Sequence, residues 1–89
     1  MRDADRPRQR DGFLLQELDD EILLYHPQQT RAVYMNATAT LIWGLCDGAT
    51  PVAEIIRLLE QSFPDAPGIA ADVRATLERF AEHGAVDAA

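Results

Sequence analysis

Residues 33–48 read VYMNATATLIWGLCDG, and this stretch joins a strand to a short helix. Its first three residues favour a strand. Asn36 then predicts a helix N-cap, because its side-chain oxygen can accept a hydrogen bond from an amide of the first turn. Asp47-Gly48 predicts the helix end, since glycine readily adopts the left-handed backbone. The stretch therefore separates a strand-rich half of the chain from a helical half.

Three strands are predicted before this helix, at residues 13–18, 21–25 and 31–35. Asp and Pro residues mark the turns between them. Because these connections are short, the strands are expected to form an antiparallel meander. The middle strand then pairs on both sides, and residues 31–35 keep one free edge.

Two further helices are predicted after the stretch. Thr50 is expected to cap the second helix, with Pro51 at its first position. The third helix is expected from about residue 69 to 83, with Gly84 at its end and a short strand or packed segment at residues 85–86. Apolar residues recur at helical spacing in both: Val52, Ile55, Ile56, Leu59, Phe63, Ile69, Val73, Leu77 and Phe80. The predicted fold class is α+β, a winged helix-turn-helix-like three-stranded sheet followed by three helices (βββααα).

Charge divides the chain into two parts. Residues 1–10 hold four arginines and two aspartates, and residues 11–89 hold four arginines against thirteen carboxylates. Residues 1–11 have no apolar periodicity and are predicted to be a disordered tail, with a basic docking arm as the alternative. Residues 12–89 are predicted to be one domain. Its negative charge is unfavourable for nucleic acid and anionic lipid, so neither is expected as a partner.

Catalytic and cofactor patterns are missing from the sequence. His26 and His83 have no metal-ligand spacing, and Cys46 is expected to be a buried structural thiol. There is no glycine-rich phosphate loop. No catalytic residue, metal or cofactor is therefore predicted, and the chain is not expected to be an enzyme. A single cysteine and no secretory or membrane-spanning segment favour a cytoplasmic protein.

The residues leave two binding functions open. A winged helix-turn-helix suggests a DNA-binding regulator, but the predicted third helix holds more carboxylates than arginines. Alternatively, an extended peptide could pair as a fourth strand with Arg31, Ala32, Val33, Tyr34 and Met35. That edge could instead be covered by the chain itself or by a second copy in a homodimer.

The order and spacing of the motifs over residues 13–87 resemble the PqqD family. The matching positions combine a cap, a small-residue helix, a Leu-x-Asp-Gly end, a Glu-Ile helix start and an Asp-Val helix that closes at glycine: Asn36, Ala39, Ile42, Trp43, Leu45, Asp47, Gly48, Glu54, Ile55, Leu59, Phe63, Asp72, Val73, Leu77 and Gly84. The resemblance implies a non-catalytic peptide chaperone, or RiPP recognition element. Such a domain binds the leader of a ribosomally made precursor peptide antiparallel to its third strand and against its third helix. It also docks onto a modifying enzyme, a radical SAM enzyme in pyrroloquinoline quinone (PQQ) biosynthesis.

The resemblance also suggests which helical residues would contact the leader. Val73, Thr76, Leu77 and Phe80 are expected to line the groove, with Arg74 and Arg79 at its rim, although Val73, Leu77 and Phe80 could instead be core. Family members devoted to PQQ carry an Arg-Gly-Arg-Trp stretch before Leu-Leu-x-Pro-Glu, whereas residues 20–28 here read DEILLYHPQ. A PQQ pathway and another peptide pathway, such as that of a lasso peptide, therefore both remain open.

Overall fold

The computed structural model describes residues 1–30 and 32–88. Its elements follow one another as β1 (Pro7–Gln9), β2 (Leu14–Leu18), β3 (Glu21–Tyr25), β4 (Ala32–Met35), α1 (Ala37–Leu45), α2 (Val52–Ser62), α3 (Ile69–Glu82) and β5 (Val86–Ala88). The predicted fold class, a three-stranded antiparallel sheet followed by three helices, is confirmed. Two short strands at the chain ends, β1 and β5, are added to it.

The main sheet has the order β2-β3-β4, and both pairings are antiparallel. Leu24 of β3 lies opposite Leu15 of β2 and Val33 of β4, which fixes the register of the whole sheet. Asp19 takes a positive φ of 54° in the two-residue turn between β2 and β3. Aspartate tolerates this backbone better than most residues do, which fits the turn predicted there.

The core lies between one face of this sheet and the three helices. Leu24, Val33 and Met35 bury their side chains on that face. The helices contribute the apolar stripes seen in the sequence: Ala39, Ile42, Trp43, Val52, Ile55, Ile56, Leu59, Ile69, Val73, Leu77 and Phe80. Trp43 and Phe80 meet edge to face, with ring centroids 5.5 Å apart. The helices therefore cover only one side of the sheet.

The first helix begins as predicted and the second does not. The Asn36 Oδ1 atom accepts a hydrogen bond from the Ala39 amide at 2.7 Å, which confirms the N-cap of α1. In α2 the N-cap is Pro51, which makes no side-chain cap hydrogen bond. The Thr50 hydroxyl instead donates to Asp47 Oδ2 at 3.0 Å. The predicted Thr50 cap is therefore wrong, because the preceding turn uses that side chain.

The N-terminal segment supplies the missing cap of α2. The Val52 amide donates to the Asp5 carbonyl at 2.9 Å, and the Ala53 amide donates to the Asp3 carbonyl at 3.0 Å. The first amides of a helix have no partner inside it, so acceptors from a distant segment can replace a side-chain cap. A long-range contact, which local sequence does not reveal, thus sets the start of α2.

The disordered tail predicted for residues 1–11 is corrected by the structure. Pro7–Gln9 forms β1, which pairs antiparallel with β5. Pro7 is buried, and the Gln9 side chain donates to the Trp43 carbonyl at 2.7 Å. This strand could not be predicted from its polar composition, because its main-chain hydrogen bonds to β5 and to the turn after α1 hold it in place and it has no apolar stripe. The pairing also shows that the end of the chain forms a strand at Val86–Ala88.

The turn after α1 requires a glycine. Gly48 has a φ of +78°, and an added Cβ would lie 3.2 Å from the Arg8 side chain. Its amide also donates to the Pro7 carbonyl at 3.0 Å. The turn therefore holds α1 against the N-terminal segment through a backbone that other residues rarely adopt.

Gly48→Ala is expected to lower the free energy of unfolding by about 1–2 kcal/mol, because it adds backbone strain and crowds Arg8. The matched control is Gly44→Ala in α1, where an added Cβ would meet no atom within 4 Å. That variant should raise stability by about 0.5–1 kcal/mol, since alanine is the better helix former. Urea denaturation measures both changes. Equal effects of the two substitutions would contradict this account of the turn.

Candidate functional site

Strand β4 is an edge of the main sheet. In the described part of the chain it pairs with β3 alone. Its side chains alternate as the sequence predicted: Val33 and Met35 are buried, whereas Ala32 and Tyr34 are exposed. Tyr34 leaves 67% of its surface in solvent. An uncovered edge of this kind can accept a further strand.

Only some main-chain groups of β4 point toward this open edge. The Arg79 guanidinium donates to the Tyr34 carbonyl at 3.4 Å, a long hydrogen bond that comes from α3 rather than from β3. In an antiparallel pair the N–H and C=O of one residue point to the same side, and successive residues alternate. We infer that the main-chain groups of Ala32 and Tyr34 face the open edge, where Arg79 contacts the Tyr34 carbonyl, whereas those of Val33 and Met35 bond to β3. Only every second residue of β4 can therefore form main-chain hydrogen bonds with an added strand.

A groove lies beside this edge, along the outer face of α3. It encloses about 350 Å³ between the start of α1, the α2–α3 loop and α3. We call it the α3 groove, and its lining residues are Asn36, Thr38, Ala39, Phe63, Ala66, Ile69, Asp72, Ala75, Thr76 and Arg79. Arg79 joins the two features, because it lines the groove and also contacts the edge of β4. A strand added to β4 would therefore place side chains toward the groove.

The α3 residues predicted for the site fall into different places. Thr76 and Arg79 line the α3 groove. Val73, Leu77 and Phe80 are no more than 1% exposed and belong to the core. The structure thus corrects their assignment to the groove: they occupy the inward stripe of an amphipathic helix, which cannot also face a ligand.

Of the arginines predicted for the site, Arg74 lies away from the α3 groove. Arg74 makes an ion pair with Asp3 of the N-terminal segment, with both side chains largely in solvent. It is absent from the lining of the α3 groove, where it was expected as a rim residue. Arg31 lies outside the described residues. Arg79 is therefore the arginine that the structure associates with the groove.

Several groove residues were missed from the sequence, although a signal for some of them was available. The missed residues Asp72 and Ala75 lie at three- and four-residue spacing from the predicted Thr76 and Arg79, so all four share one face of α3. This face lies beside the buried stripe and could have been read from the same helical periodicity. By contrast, Phe63 and Ala66 reach the groove only through the tertiary arrangement of the α2–α3 loop, which sequence spacing does not reveal.

The ionisable groups of the described residues are not clustered in a way that would hold a metal ion. Within residues 1–30 and 32–88, no cluster of three or more His, Cys, Asp or Glu side chains is placed to hold a metal ion. Burial, together with the nearby Asp47 carboxylate, raises the pKa of the Cys46 thiol to about 12. Its Sγ donates to the Ile42 carbonyl at 3.2 Å, so this thiol has a packing role.

Asp47 organises the turn between α1 and α2. Its carboxylate accepts hydrogen bonds from the Ala49 and Thr50 amides, each at 2.8 Å, and from the Thr50 hydroxyl. These hydrogen bonds hold the pKa of the Asp47 carboxyl below its ordinary value of 3.8. A carboxyl with a lowered pKa stabilises the fold above its unfolded-state pKa and loses this contribution as the pH falls through its folded-state pKa. The contribution of this turn is therefore complete at neutral pH and declines in acid.

The helices of the described segments are all too short or too polar to cross a membrane.

A family model described as coenzyme PQQ synthesis protein D (PqqD) matches residues 21–86. Relatives include "PqqA binding protein 1" of Pseudomonas putida strain KT2440, 38% identical over 86% of each chain. "PqqA binding protein" of Kluyvera intermedia is 34% identical over 92% of this chain and 89% of that protein. Among solved structures, "TbiB1 in Complex with the TbiA(beta) Leader Peptide" superposes with a TM-score of 0.71 at 22% identity, covering 90% of this chain and 94% of that one.

Proposed function

Because the chain belongs to the PqqD family, we propose that it is a non-catalytic chaperone for a ribosomally made precursor peptide. In this proposal the domain binds the leader of the precursor and presents the peptide to a modifying enzyme in the cytoplasm. The relatives are named for binding PqqA, and the similar solved structure is named as a complex with a leader peptide. Both names support a peptide as the ligand.

The observation that carries the proposal is the open edge of β4 beside the α3 groove. The leader adds antiparallel to β4 as a fourth strand and bonds to the main-chain groups of Ala32 and Tyr34 that face the open edge. Only every second residue of β4 faces this edge, and in an antiparallel pair each of these residues bonds to one leader residue, so a short leader segment is enough to occupy it. These main-chain bonds provide affinity that depends little on sequence.

Leader specificity comes from the α3 groove. Alternate side chains of the leader enter it and meet an apolar floor that includes Ala39, Phe63 and Ala75. The leader strand displaces the long Arg79 contact from the Tyr34 carbonyl, because a main-chain amide of the leader takes that acceptor. The released guanidinium then pairs with a carboxylate of the leader. The preferred leader therefore combines an apolar side chain with a nearby acidic one.

The partner enzyme is a peptide-modifying enzyme, either a radical SAM enzyme as in PQQ biosynthesis or the enzyme of another peptide pathway. The relatives favour PqqA as the precursor. The departure of residues 20–28 from the motif of PQQ-devoted members favours a different precursor. Two leader peptides therefore serve as probes: PqqA, and the leader of a short precursor encoded beside the gene for this chain. The tighter of the two in calorimetric titration identifies the pathway.

Arg79→Ala is expected to weaken binding of the tighter leader about five- to tenfold, because it removes a charge-assisted hydrogen bond at the groove. The matched control is Arg74→Ala on the same helix, which removes an equal charge but pairs with Asp3 away from the groove. Calorimetric titration of both variants measures the difference. If both variants lose the same leader affinity, Arg79 acts only through its positive charge, and the proposed contact with the leader carboxylate is contradicted.

Duplex DNA provides a separate control for the winged helix-turn-helix alternative. The negative charge of residues 11–89 predicts no shift of duplex DNA at low salt. Tight, salt-sensitive retardation of DNA together with an absence of leader binding would replace the chaperone proposal with a regulator of transcription.

A further inference from the structure

The sheet face that points away from the helices carries several exposed apolar side chains in the described chain. By register, the residues opposite one another in β2, β3 and β4 share a face. Because Val33 and Met35 face the core, the alternate positions face outward. We call this surface the outer sheet face, and its apolar residues are Leu14, Leu18, Leu23, Tyr25, Ala32 and Tyr34.

Four of these six side chains are exposed to solvent, and those of Leu23 and Tyr25 are half-buried. Leu14 is 48% exposed, Leu18 is 47% exposed and Tyr34 is 67% exposed. All five residues of β2 are exposed, and of these Leu14, Gln16 and Leu18 lie on the outer sheet face. Gln16 and Glu21 are the polar residues of this face, and an exposed apolar surface with polar residues among it is typical of a site of protein contact.

The surroundings of the face indicate what kind of protein covers it. Residues 14–25 contain four carboxylates, Glu17, Asp19, Asp20 and Glu21, and no cation. The two aspartates form the exposed β2–β3 turn, and Glu21 lies on the outer sheet face opposite Leu18. A matching partner therefore presents an apolar patch with basic residues at its rim.

A second copy of the chain fits this surface poorly. Two copies would each bring a net charge of −7 and would bring acidic segments of the same sign together. The face is also small: strands of five residues make it about 17 Å long, and three strands make it about 10 Å wide. Such a face is far smaller than the roughly 800 Å² per partner of a stable interface. The occupant must therefore gain further contacts outside this face.

We propose that the outer sheet face is the docking surface for the peptide-modifying enzyme, and that the enzyme contacts this face and the bound leader together. This inference rests on the proposed function. It is supported by continuity, because Ala32 and Tyr34 present their main chain to the leader edge and their side chains to the outer sheet face. An enzyme seated on this face adjoins the fourth strand that the leader forms.

The shared surface has a thermodynamic consequence. If the enzyme contacts both the outer sheet face and the leader, each of the two ligands raises the affinity of the domain for the other by the same factor. The leader then acts as part of the docking surface and supplies the area that the small face lacks. The enzyme is expected to bind the leader-loaded domain at least tenfold more tightly than the free domain.

The test uses the full-length chain and the peptide-modifying enzyme encoded beside its gene, with and without the tighter leader. Leu14→Glu and Leu18→Glu add a charge to the outer sheet face away from β4. The matched control is Leu41→Glu on α1, because Leu41 is also 48% exposed but lines a separate apolar trough between α1 and α2. Enzyme affinity is measured by biolayer interferometry and leader affinity by calorimetry, while circular dichroism checks the fold.

The expected result is a loss of enzyme affinity of at least tenfold for Leu14→Glu and Leu18→Glu, with leader affinity within twofold of the wild type and little effect of Leu41→Glu. Asp19→Asn combined with Asp20→Asn should slow association with the enzyme and reduce its salt dependence. Asparagine retains the positive φ at position 19.

Three results would overturn the inference. If all outer-face variants bind the enzyme as tightly as the wild type, the outer sheet face is not the docking surface. If only Leu41→Glu weakens enzyme binding, the enzyme docks at the α1–α2 trough instead. If analytical ultracentrifugation shows a concentration-dependent dimer, and Leu14→Glu dissociates it, the outer sheet face binds a second copy of the chain. Failure of the proposed function itself is separate, because it shows as an absence of leader binding by the wild-type chain.

Discussion

Tyr34→Pro is expected to weaken leader binding at least a hundredfold while leaving the domain folded. Proline removes the amide that faces the open edge of β4, and its ring obstructs the approach of a fourth strand. The domain keeps its own ladder, because the amide of Tyr34 faces away from β3. A hundredfold loss corresponds to about 2.7 kcal/mol, which is the scale of a lost ladder bond together with a steric clash. Calorimetric titration of the tighter leader measures the change.

Two matched variants show whether the main chain is responsible. Tyr34→Thr retains the amide and the strand propensity but removes the aromatic ring, so it should keep most of the leader affinity. Val33→Pro removes an amide that bonds to β3 and a buried side chain, so it should unfold the domain. If Tyr34→Thr and Tyr34→Pro lose equal affinity, the side chain rather than the strand edge binds the leader. If Tyr34→Pro binds normally, strand addition at β4 is excluded.

Deleting residues 1–9 is expected to lower the free energy of unfolding by about 2–4 kcal/mol, a large part of the roughly 5–15 kcal/mol of a natural domain. The deletion removes the carbonyls that cap the first amides of α2 and the strand partner of β5. It also uncovers the surface on which Pro7 is buried. Loss of a helix cap alone costs about 1 kcal/mol, and loss of buried apolar area adds to it. Urea denaturation of the wild type and the truncated chain measures the change.

A basic tail without structural contacts would behave differently. The matched control is Arg6→Ser, because Arg6 is exposed and its replacement removes charge from the same segment without touching β1. That variant should leave stability within about 0.5 kcal/mol of the wild type. Equal stability of the truncated and full-length chains would show that β1 contributes nothing to the fold in solution. The expected outcome instead makes residues 1–9 an integral part of the domain.

Local signals accounted for most of the architecture. Periodicity located the three helices and their buried stripes, and Asn36 marked the start of α1. Alternation in β4 assigned Val33 and Met35 to the core and Tyr34 to solvent. These features are predictable because a repeat of 3.6 or 2 residues is sufficient to state which side chains share a face.

The site was predicted less completely than the fold. The periodicity of α3 does not indicate which of its two neighbouring faces lines a groove, so Val73, Leu77 and Phe80 were grouped with Thr76 and Arg79. Burial separates them, since the first three are enclosed by the core. The position of Arg74 depends on Asp3, a residue 71 positions away in sequence. No local pattern links two residues at that distance.

The sequence by itself determined the fold class and the resemblance to the family, and it predicted the alternation of side chains in the third strand, because these follow from periodicity, short connections and the spacing of caps and glycines. Only the tertiary structure decided that Pro7–Gln9 forms a strand with the C-terminal segment, that Ala32 and Tyr34 face the open edge, and that Arg79 joins this edge to the α3 groove. The physical reason is the range of the interactions. Side-chain periodicity is a local property, whereas a helix cap from a distant carbonyl, a strand pairing between the chain ends and a groove between three elements arise only when the packed chain brings remote segments together.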